Sequence, residues 1–399
     1  MSTPAQSKRR LTLTGTKTTG YLAVFRLTVL SMVCQKNILY KHYLARKQFH
    51  YFIICFFFIL RLVNLWDTGS STIGEGGGSI RVKWVRKGKT RTAIPFLQFK
   101  EIYYWRSNMF VGCILIALAL LGFFFNAITI LTFNKNRYLL NVSDLPVLSI
   151  AIADALSAAI VAPFAVAADF LATWPFGSGG CSWYACVSTI IGLGTMLHHT
   201  ALAVEKCWKI HHPLTADVTH KQMSNIIVLI WLFTGLWGIF PLIGWSSYGP
   251  EGTGASCSIK WQSHDLLDTS FIICIFVIFF LFPVVSMVAS YAIIYNNLKQ
   301  MEKRAKSRWN DEAQQTLEVL LARKRTVWTG FIMVASFVVV WTPYAIVSFY
   351  AAVGKRQSIP PLAATIPAVF AKASLLLNPI VYVIRYTRFR KGVKKLFSL

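Results

Sequence analysis

Long apolar stretches alternate with short polar segments over residues 109–399. A helix that crosses the hydrocarbon core of a bilayer needs about 20 mostly apolar residues, and seven stretches reach that length. Their approximate bounds are 109–133, 142–171, 182–209, 226–245, 267–295, 327–353 and 363–384. The connections between them are short, apart from residues 296–325. The pattern therefore predicts an all-α membrane protein in which a bundle of seven transmembrane helices occupies residues 109–385.

The distribution of lysine and arginine predicts the orientation of this bundle. The alternate loops on one side, the adjoining end of the third span (Lys206 and Lys209) and the segment after the last helix together contain 19 of these residues, whereas the opposite loops contain 3. Because basic residues are enriched in cytoplasmic loops, we expect the N-terminus outside and the C-terminus in the cytoplasm. Residues 386–399 mix basic and apolar positions, which predicts a short amphipathic helix on the membrane surface.

The composition argues against other broad classes of protein. Hydrophobic residues make up 55% of the chain, charged residues make up 14%, and the mean hydropathy is +0.52. A soluble globular domain carries about 25% charged residues, and a disordered chain has far fewer apolar ones. The net charge of +26 is unusual, but a nucleic-acid-binding domain does not present so much apolar surface. We therefore expect the lipid bilayer, and no nucleic acid, as a partner.

Residues 1–108 do not fit the pattern of the bundle. They contain 18 of the 41 basic residues and 3 of the 15 acidic residues, on the side expected to be translocated. Their most apolar stretch, 51–60, is short for a span and is followed by Arg61, and the glycine-rich run at 74–78 indicates a linker. Three interpretations of this region remain open. It is an extension with an eighth, marginal membrane segment, a targeting peptide, or a segment that is not part of the mature fold. We treat residues 1–108 as an atypical basic N-terminal extension.

Lys372 is the most informative ionisable residue inside a predicted span. An ionisable group at mid-bilayer is costly and by default marks a functional site. Lys372 lies about two helical turns before Pro379, too deep to reach an interface easily. A desolvated amine is a nucleophile for a carbonyl group and forms a Schiff base with it. The alternative is a lysine that pairs with an acid of the bundle and serves helix packing.

A protonated Schiff base needs an anion nearby. Acids on the outer half of the bundle include Asp169, late in the second span, and Glu251, in the loop after the fourth. Cys257 of that loop and Cys181 at the outer end of the third span lie on the same face, in the compartment where disulfides persist. Eight cysteines allow many pairings, but this topology favours a bridge that folds the loop inward as a lid and brings Glu251 near the cavity.

Other polar and aromatic residues within the spans have more than one interpretation. Asn126, Asp154 and Asn378 fall at depths where three helices can share a hydrated polar network, with a structural or a switching role. His198 and His199 indicate packing or polar contacts between helices, and we expect no metal site because no further ligands cluster with them. Pro343, between two aromatic residues in Trp341-Thr-Pro-Tyr344, indicates a hinge, although aromatic residues in a bundle usually form core.

In combination, these residues resemble the rhodopsin-like class of G-protein-coupled receptors and, within it, the opsins. The resemblance covers about residues 109–399. The opsin-level sign is Lys372, seven residues before Pro379, where opsins attach retinal. The class-level signs are Asn126, Asp154, the Cys181–Cys257 pair, Trp231, Pro283 with Tyr291, Trp341-Thr-Pro343-Tyr344, and Asn378-Pro379-Ile-Val-Tyr382.

The resemblance implies a light-sensitive receptor that carries retinal as a protonated Schiff base and switches a heterotrimeric G protein. Residues 174–181 and 239–249 are similar to the peropsin, retinal photoisomerase and retinochrome group, and Ser358-Ile-Pro-Pro also resembles neuropsins. Tyr184 stands where vertebrate visual opsins carry their counterion, so the resemblance assigns the counterion to Glu251. It also assigns a retinal pocket, formed by Tyr184, Thr189, Gly192, Ser256, Phe280, Trp341 and Tyr344.

The predicted inner end of the bundle departs from the family pattern. Receptors of this class usually have Asp/Glu-Arg-Tyr after the third helix, whereas this chain has Glu205-Lys206-Cys207. Lysine lacks the planar fork of donors that arginine offers, and Arg323 stands where rhodopsins place an acid. Within residues 386–399, Thr387 and Ser398 are the Ser/Thr hydroxyls offered for phosphorylation.

These departures leave three functions open. The first is a light-activated receptor. The second is a retinal photoisomerase that converts all-trans retinal to a cis isomer, with retinal-handling partners and little G-protein signalling. The third is a receptor for a ligand unrelated to light. We expect the first.

Overall fold

The computed structural model describes residues 82–87, 90–137, 140–212, 218–263, 265–306, 311–354, 359–385 and 387–397. The apolar stretch at 51–60, the glycine-rich run at 74–78 and Ser398 lie outside these residues, as does most of the predicted N-terminal extension.

Seven described helices are long and apolar enough to cross a membrane, which confirms the predicted bundle. We number them spans one to seven: Tyr104–Lys135, Val142–Leu171, Gly177–His211, His220–Leu242, Leu266–Ala305, Arg323–Val353 and Pro361–Tyr382. Several spans are longer than their apolar cores, because a helix continues through polar residues until a cap or a turn ends it. Span four begins with such a cap, in which the Thr219 hydroxyl accepts a bond from the backbone N–H of Gln222.

Span one extends from a helix that starts within the predicted N-terminal extension. Two antiparallel strands, β1 (Val82–Lys87) and β2 (Thr90–Pro95), form a hairpin. The helix Phe96–Lys135 follows directly and contains span one. The helix that contains span one thus begins before residue 109, where the sequence pattern placed the start of the first apolar stretch.

Spans two and five each widen into one π-helical segment just before a proline. Span two comprises the helices Leu145–Leu156 and Ala162–Leu171 around the π-segment Ser157–Val161. Span five comprises Leu266–Ile275 and Phe282–Lys306 around Phe276–Leu281. Pro163 and Pro283 stand at the second position of the following helices. Proline lacks the N–H for the bond to the residue four back, and its ring clashes with that carbonyl, so the helix widens locally.

Span seven is broken at the residue after Lys372. It comprises the helices Pro361–Lys372 and Ser374–Arg385, which meet at Ala373. Pro379 cannot donate to the carbonyl of Leu375. Asn126 of span one replaces the missing donor, since its Nδ2 lies 2.9 Å from that carbonyl oxygen. A side chain of one span thus satisfies a backbone group that the bilayer would leave without a partner.

The predicted amphipathic helix is present at Thr387–Phe397. Phe389 is buried, with its ring centroid 5.6 Å from that of Phe133 and 5.4 Å from that of Tyr382. Lys391 and Lys394 are exposed on the other side. The remaining helices are Gly177–His211, His220–Ile239 with the 3-10 turn Phe240–Leu242, the 3-10 turn Val142–Asp144, and Asp311–Val353.

The loop after span four forms the predicted lid. Strands β3 (Tyr248–Glu251) and β4 (Ser256–Ile259) pair in antiparallel fashion, with Glu251 opposite Ser256 and Pro250 opposite Cys257. The Cys181–Cys257 disulfide, which the topology predicted, ties this hairpin to the N-terminal end of span three. The bridge joins residues 76 positions apart, so it constrains a long loop in the unfolded chain.

Removal of this disulfide should destabilise the protein. We expect Cys181→Ser to lower the free energy of unfolding by about 2–5 kcal/mol, because the unfolded chain loses a long-range constraint. Denaturant unfolding of the purified protein measures this loss. Cys113→Ser is the matched control, since Cys113 is an exposed free cysteine. An equal loss in both variants would contradict the assignment of the stabilisation to the bridge.

Candidate functional site

A cavity of about 240 Å³ lies within the bundle beneath the lid. Its wall is mostly apolar, with contributions from spans one, two, three, five, six and seven and from β3 and β4. Both π-segments contribute to it, through Ser157 and Val161 of span two and through Phe276 and Phe280 of span five. Lys372 and Glu251 both line this cavity. So do all the residues of the predicted pocket, which are Tyr184, Thr189, Gly192, Ser256, Phe280, Trp341 and Tyr344.

Lys372 forms part of the cavity wall at the break in span seven. Its Nζ lies 5.8 Å from the centroid of the Tyr184 ring, a distance at which the ring face attracts a cation. The carboxylates of Glu251 and Asp169 both act on Lys372 electrostatically. Glu251 lines the cavity, whereas Asp169 is buried outside its lining. Of the two acids that the sequence offered as partners of Lys372, only Glu251 therefore faces the same space.

Glu251 is buried at the end of β3 and is held by two hydrogen-bond donors. Its Oε1 accepts a bond of 2.8 Å from the indole N–H of Trp261 and one of 2.9 Å from the hydroxyl of Tyr344. Burial raises the pKa of Glu251, and the bond from Trp261, the charge of Lys372 and the bond from Tyr344 offset part of that rise. The two donors also fix the orientation of the carboxyl group toward the cavity.

Trp261 is a site residue that the sequence analysis missed. It is 3% exposed, lines the cavity and follows β4 by two residues. The sequence did contain a signal for this role: Trp261 follows Cys257 by four positions and carries an indole N–H donor within the loop predicted to fold over the bundle. Such a donor tends to seek a polar partner when it is buried.

Trp341 lies against span three. A Cβ atom on Gly192 would lie 2.7 Å from Cη2 of Trp341, so this close approach requires glycine. The indole nitrogen of Trp341 is buried and has no hydrogen-bond partner in the described part of the chain. Pro343 lies two residues further along the helix Asp311–Val353. A ligand in the cavity would contact an aromatic side chain next to the predicted hinge.

The predicted polar network of spans one, two and seven is only partly formed by direct contacts. Asp154 lines the cavity and lies near Asn378, but no direct hydrogen bond joins the two side chains in the described part of the chain. Asn126 instead bonds to the carbonyls of Gly122 and Leu375. The unpartnered atoms Asn126 Oδ1, Asp154 Oδ2 and Asn378 Nδ2 are all buried, which is typical of a site that ordered water completes.

At the inner end, Lys206 packs beneath a glycine of span six. A Cβ atom on Gly330 would lie 2.7 Å from Cε of Lys206 and 3.0 Å from the hydroxyl of Tyr291. Glu205 accepts a hydrogen bond from the hydroxyl of Ser143 in span two. The aliphatic stem of Lys206 thus occupies space between spans three and six.

Two further contacts join spans at the inner end. The Nζ of Lys324 lies 3.0 Å from Oε2 of Glu302, which connects spans six and five. Tyr382, which follows Pro379 by three residues, is buried and packs edge-on against Phe133 of span one.

Residues 125–382 match the family of seven-transmembrane receptors described as the rhodopsin family. The chain is 27% identical over 291 residues to melanopsin of Rutilus rutilus, an alignment that covers 72% of this chain and 58% of that protein. It is 27% identical over 304 residues to rhodopsin of Enteroctopus dofleini, which covers 74% of this chain and 66% of that protein. The chain thus spans less than two thirds of the length of these relatives.

The structure is similar to the crystal structure of squid rhodopsin. The TM-score is 0.69 and the sequence identity 25%, over 73% of this chain and 86% of the squid protein.

Loss of the indole donor should raise the pKa of Glu251 further. We expect this of Trp261→Phe because the hydrogen bond stabilises the charged carboxylate. An infrared titration of the carboxyl band that Glu251→Gln removes measures the change. Trp245→Phe is the matched control, since that indole donates to Ser270 instead. An unchanged titration in Trp261→Phe would contradict the assigned bond.

The sign of the pH dependence of stability follows from the same raised pKa. The unfolded chain loses the proton of Glu251 at a lower pH than the folded protein does. Stability therefore falls as the pH rises from the ordinary glutamate pKa of 4.5 to the raised value. The Glu251→Gln variant should lack this part of the fall in the free energy of unfolding.

Proposed function

This chain belongs to the rhodopsin family of seven-transmembrane receptors and within it is an opsin, and we propose that it carries retinal on Lys372 as a light-sensitive receptor. The observation that carries the proposal is the position of Lys372 in the wall of a buried, mostly apolar cavity that a buried carboxylate also faces.

The residues of the cavity fit a long apolar aldehyde. The volume of the cavity is about 240 Å³, just below the range of about 300–1,000 Å³ that is usual for ligand pockets. A cavity of this size favours a slender ligand. The lining is chiefly apolar, and the primary amine of Lys372 is the group that condenses with an aldehyde.

Retinal, when bound as a protonated Schiff base, supplies the light-driven rotation of a double bond. The side chains of the protein supply the rest. Lys372 anchors the ligand and holds its positive charge, and Glu251 provides the negative charge that keeps the proton in place. Trp341 packs against Gly192 and transmits a change of ligand shape to span six, where Pro343 permits a bend. Two positions of span six would constitute the switch.

We propose that the N-terminus lies outside and the C-terminus in the cytoplasm. The unequal distribution of basic residues over the loops supports this orientation. The disulfide supports it independently, because it ties the lid to one end of the bundle and persists in an oxidising compartment. Lys206, Arg323 and the amphipathic helix then face the cytoplasm, where a heterotrimeric G protein binds.

A retinal photoisomerase is the second candidate function. The observation that favours it is Lys206, which replaces the arginine usual in the family and packs under Gly330. A lysine does not offer the planar fork of donors with which arginine engages a partner. The similarity to the peropsin and retinochrome group, on which this candidate also depends, stays a prediction.

Substitution of Lys372 should abolish the visible absorbance that the protein gains when it is reconstituted with retinal. We expect Lys372→Arg to lose the absorbance band of the reconstituted protein completely, because a guanidinium keeps the charge but forms no Schiff base. Lys206→Arg is the matched control, since Lys206 is also buried but lies outside the cavity, and it should keep the band. A band that survives in Lys372→Arg would contradict covalent attachment at this residue.

Illumination of the reconstituted protein distinguishes the two candidate functions. Light-dependent nucleotide exchange on a G protein supports the receptor, and its absence across the main G-protein subtypes contradicts it. Extraction of retinal before and after illumination tests the photoisomerase, which requires conversion of all-trans retinal to a cis isomer.

Neutralisation of the counterion should move the absorbance of the reconstituted protein to the ultraviolet near neutral pH. We expect this shift for Glu251→Gln because loss of the carboxylate lowers the pKa of the Schiff base. Asp169→Asn is the control: it removes a carboxylate that acts on Lys372 from outside the cavity lining, and the band should stay in the visible range. An unchanged maximum in Glu251→Gln would mean that another anion is the counterion.

A further inference from the structure

The turn of the lid that follows Glu251 lies against the first helix of span seven. Strand β3 ends at Glu251, and the turn continues through Thr253. The backbone N–H of Thr253 donates a hydrogen bond of 3.3 Å to the hydroxyl oxygen of Thr365. The Thr365 hydroxyl in turn donates to the carbonyl oxygen of Pro361, at 3.0 Å, one turn back in its own helix. A single hydroxyl therefore joins the lid to the helix Pro361–Lys372.

The packing at this contact is close. The backbone of Gly252 has a φ of +61°, which favours glycine. A Cβ atom on Gly252 would clash with Oγ1 of Thr365 and would lie 3.3 Å from the carbonyl oxygen of Pro361. The threonine side chain is β-branched and has little freedom to move aside. The lid therefore lies directly on Thr365, without space for one additional methyl group.

A second contact joins the lid to the neighbouring residue of the same helix. Trp261, whose indole N–H donates to Glu251 at 2.8 Å, lies in one buried apolar cluster with Ala364. The residue after Glu251 in the chain and the donor to its carboxyl group thus pack at adjacent positions, Thr365 and Ala364. The position of this carboxyl group relative to span seven follows from the two contacts.

The helix that receives the lid also carries Lys372. Thr365 and Lys372 are seven residues apart, which corresponds to about two turns and about 10 Å of rise in an α-helix. The helix ends at Lys372, and the break at Ala373 separates it from the helix that follows. Both contacts with the lid therefore lie on the same side of the break as Lys372.

We propose that Thr365 is a positioning residue, which fixes the distance between the carboxyl group of Glu251 and the amine of Lys372 because it holds the lid on the helix that ends at Lys372. The proposal rests on the proposed function for the roles of these two groups as counterion and attachment site. Their spacing is a property of the protein itself and exists before a ligand binds. Because the break at Ala373 provides a hinge, the helix after it can change position while this spacing stays constant.

An infrared titration of Glu251 in the full-length protein without retinal tests the contact. Thr365→Val keeps the shape of the side chain and removes the acceptor for the lid. We expect the midpoint of the titration to move to higher pH. The reason is that the carboxylate loses part of its attraction to the charge of Lys372, which lowers the pKa of Glu251 in the folded protein. An unchanged midpoint in Thr365→Val would overturn the proposal.

Thr200→Val is the matched control in span three. The Thr200 hydroxyl also donates to a carbonyl oxygen one turn back in its own helix, that of Met196, at 3.0 Å. Thr200 lies outside the cavity lining. The two variants thus lose the same kind of bond within a helix, and Thr365→Val also loses the bond from the lid. Equal shifts of the Glu251 midpoint in both variants would show a general effect of threonine loss and would overturn the proposal.

Two glycines of the lid provide a second matched pair. Gly252 and Gly254 have φ values of +61° and +85°, so alanine introduces backbone strain at either position. A Cβ atom on Gly254 meets nothing within 4 Å, whereas one on Gly252 clashes with Thr365. We expect Gly252→Ala, but not Gly254→Ala, to move the Glu251 midpoint to higher pH. Equal midpoints in the two variants would contradict the proposal, and Thr365→Val decides it if Gly252→Ala fails to fold.

Reconstitution with retinal gives a further readout, which depends on the proposed function. We expect the visible maximum of Thr365→Val to move to longer wavelength, because a more distant carboxylate holds the positive charge less firmly at the imine nitrogen. Thr200→Val should keep the maximum of the unmodified protein. An unchanged maximum in Thr365→Val would overturn the proposal. If the unmodified protein forms no visible pigment, the proposed function fails, and the titration without retinal alone decides the role of Thr365.

Discussion

Polar groups inside the hydrocarbon core must find partners within the protein, and much of this bundle is arranged around that requirement. Pro379 leaves the Leu375 carbonyl without its helical donor, and Asn126 supplies one from span one. The break at Ala373 separates the Leu375 carbonyl, which accepts the bond from Asn126, from the first helix of span seven, Pro361–Lys372. Lys372 is the last residue of that first helix, so the irregular backbone lies next to a residue that faces the cavity. Irregular backbone at this depth is tolerated where it is buried in protein or borders a cavity.

The buried carboxyl group of Glu251 also needs partners within the protein, and the lid supplies one of them. A carboxylate is costly to bury unless donors and an opposite charge compensate. The disulfide fixes β4 to span three, and the pairing of β3 with β4 places Glu251 over the cavity. Trp261 from the lid and Tyr344 from span six then bond to one carboxyl oxygen. The position of this acid is therefore set jointly by a covalent bridge, a strand register and a helix from the opposite side of the bundle.

The inner half of the bundle departs from the pattern of its family while it keeps the packing between spans. Lys206 fills a gap that Gly330 leaves open, and its stem contributes apolar contact in addition to charge. Between this region and the cavity lies the stack of Trp341, Phe337 and His199. At the same level, Nε2 of His199 lies 3.1 Å from Oδ1 of Asn378 in span seven. Spans three, six and seven therefore meet through one aromatic and polar layer, which lies between the cavity and the end of the bundle that contains Lys206.

The amino-acid sequence determined the number of spans, because a bilayer demands a minimum length of apolar helix and seven stretches satisfy it. It also indicated the depth of Lys372 and favoured the pairing of Cys181 with Cys257, because both depend on positions along helices of known pitch and on the side from which the loops emerge. It did not reveal Trp261 as a partner of Glu251, the two π-segments, or the bond between His199 and Asn378, which are 179 positions apart in the chain. Those features depend on which faces of the helices pack together, and hydrophobicity along a nearly uniformly apolar helix carries little information about its faces. Only the tertiary structure, which brings distant polar atoms within about 3 Å of one another, decided them.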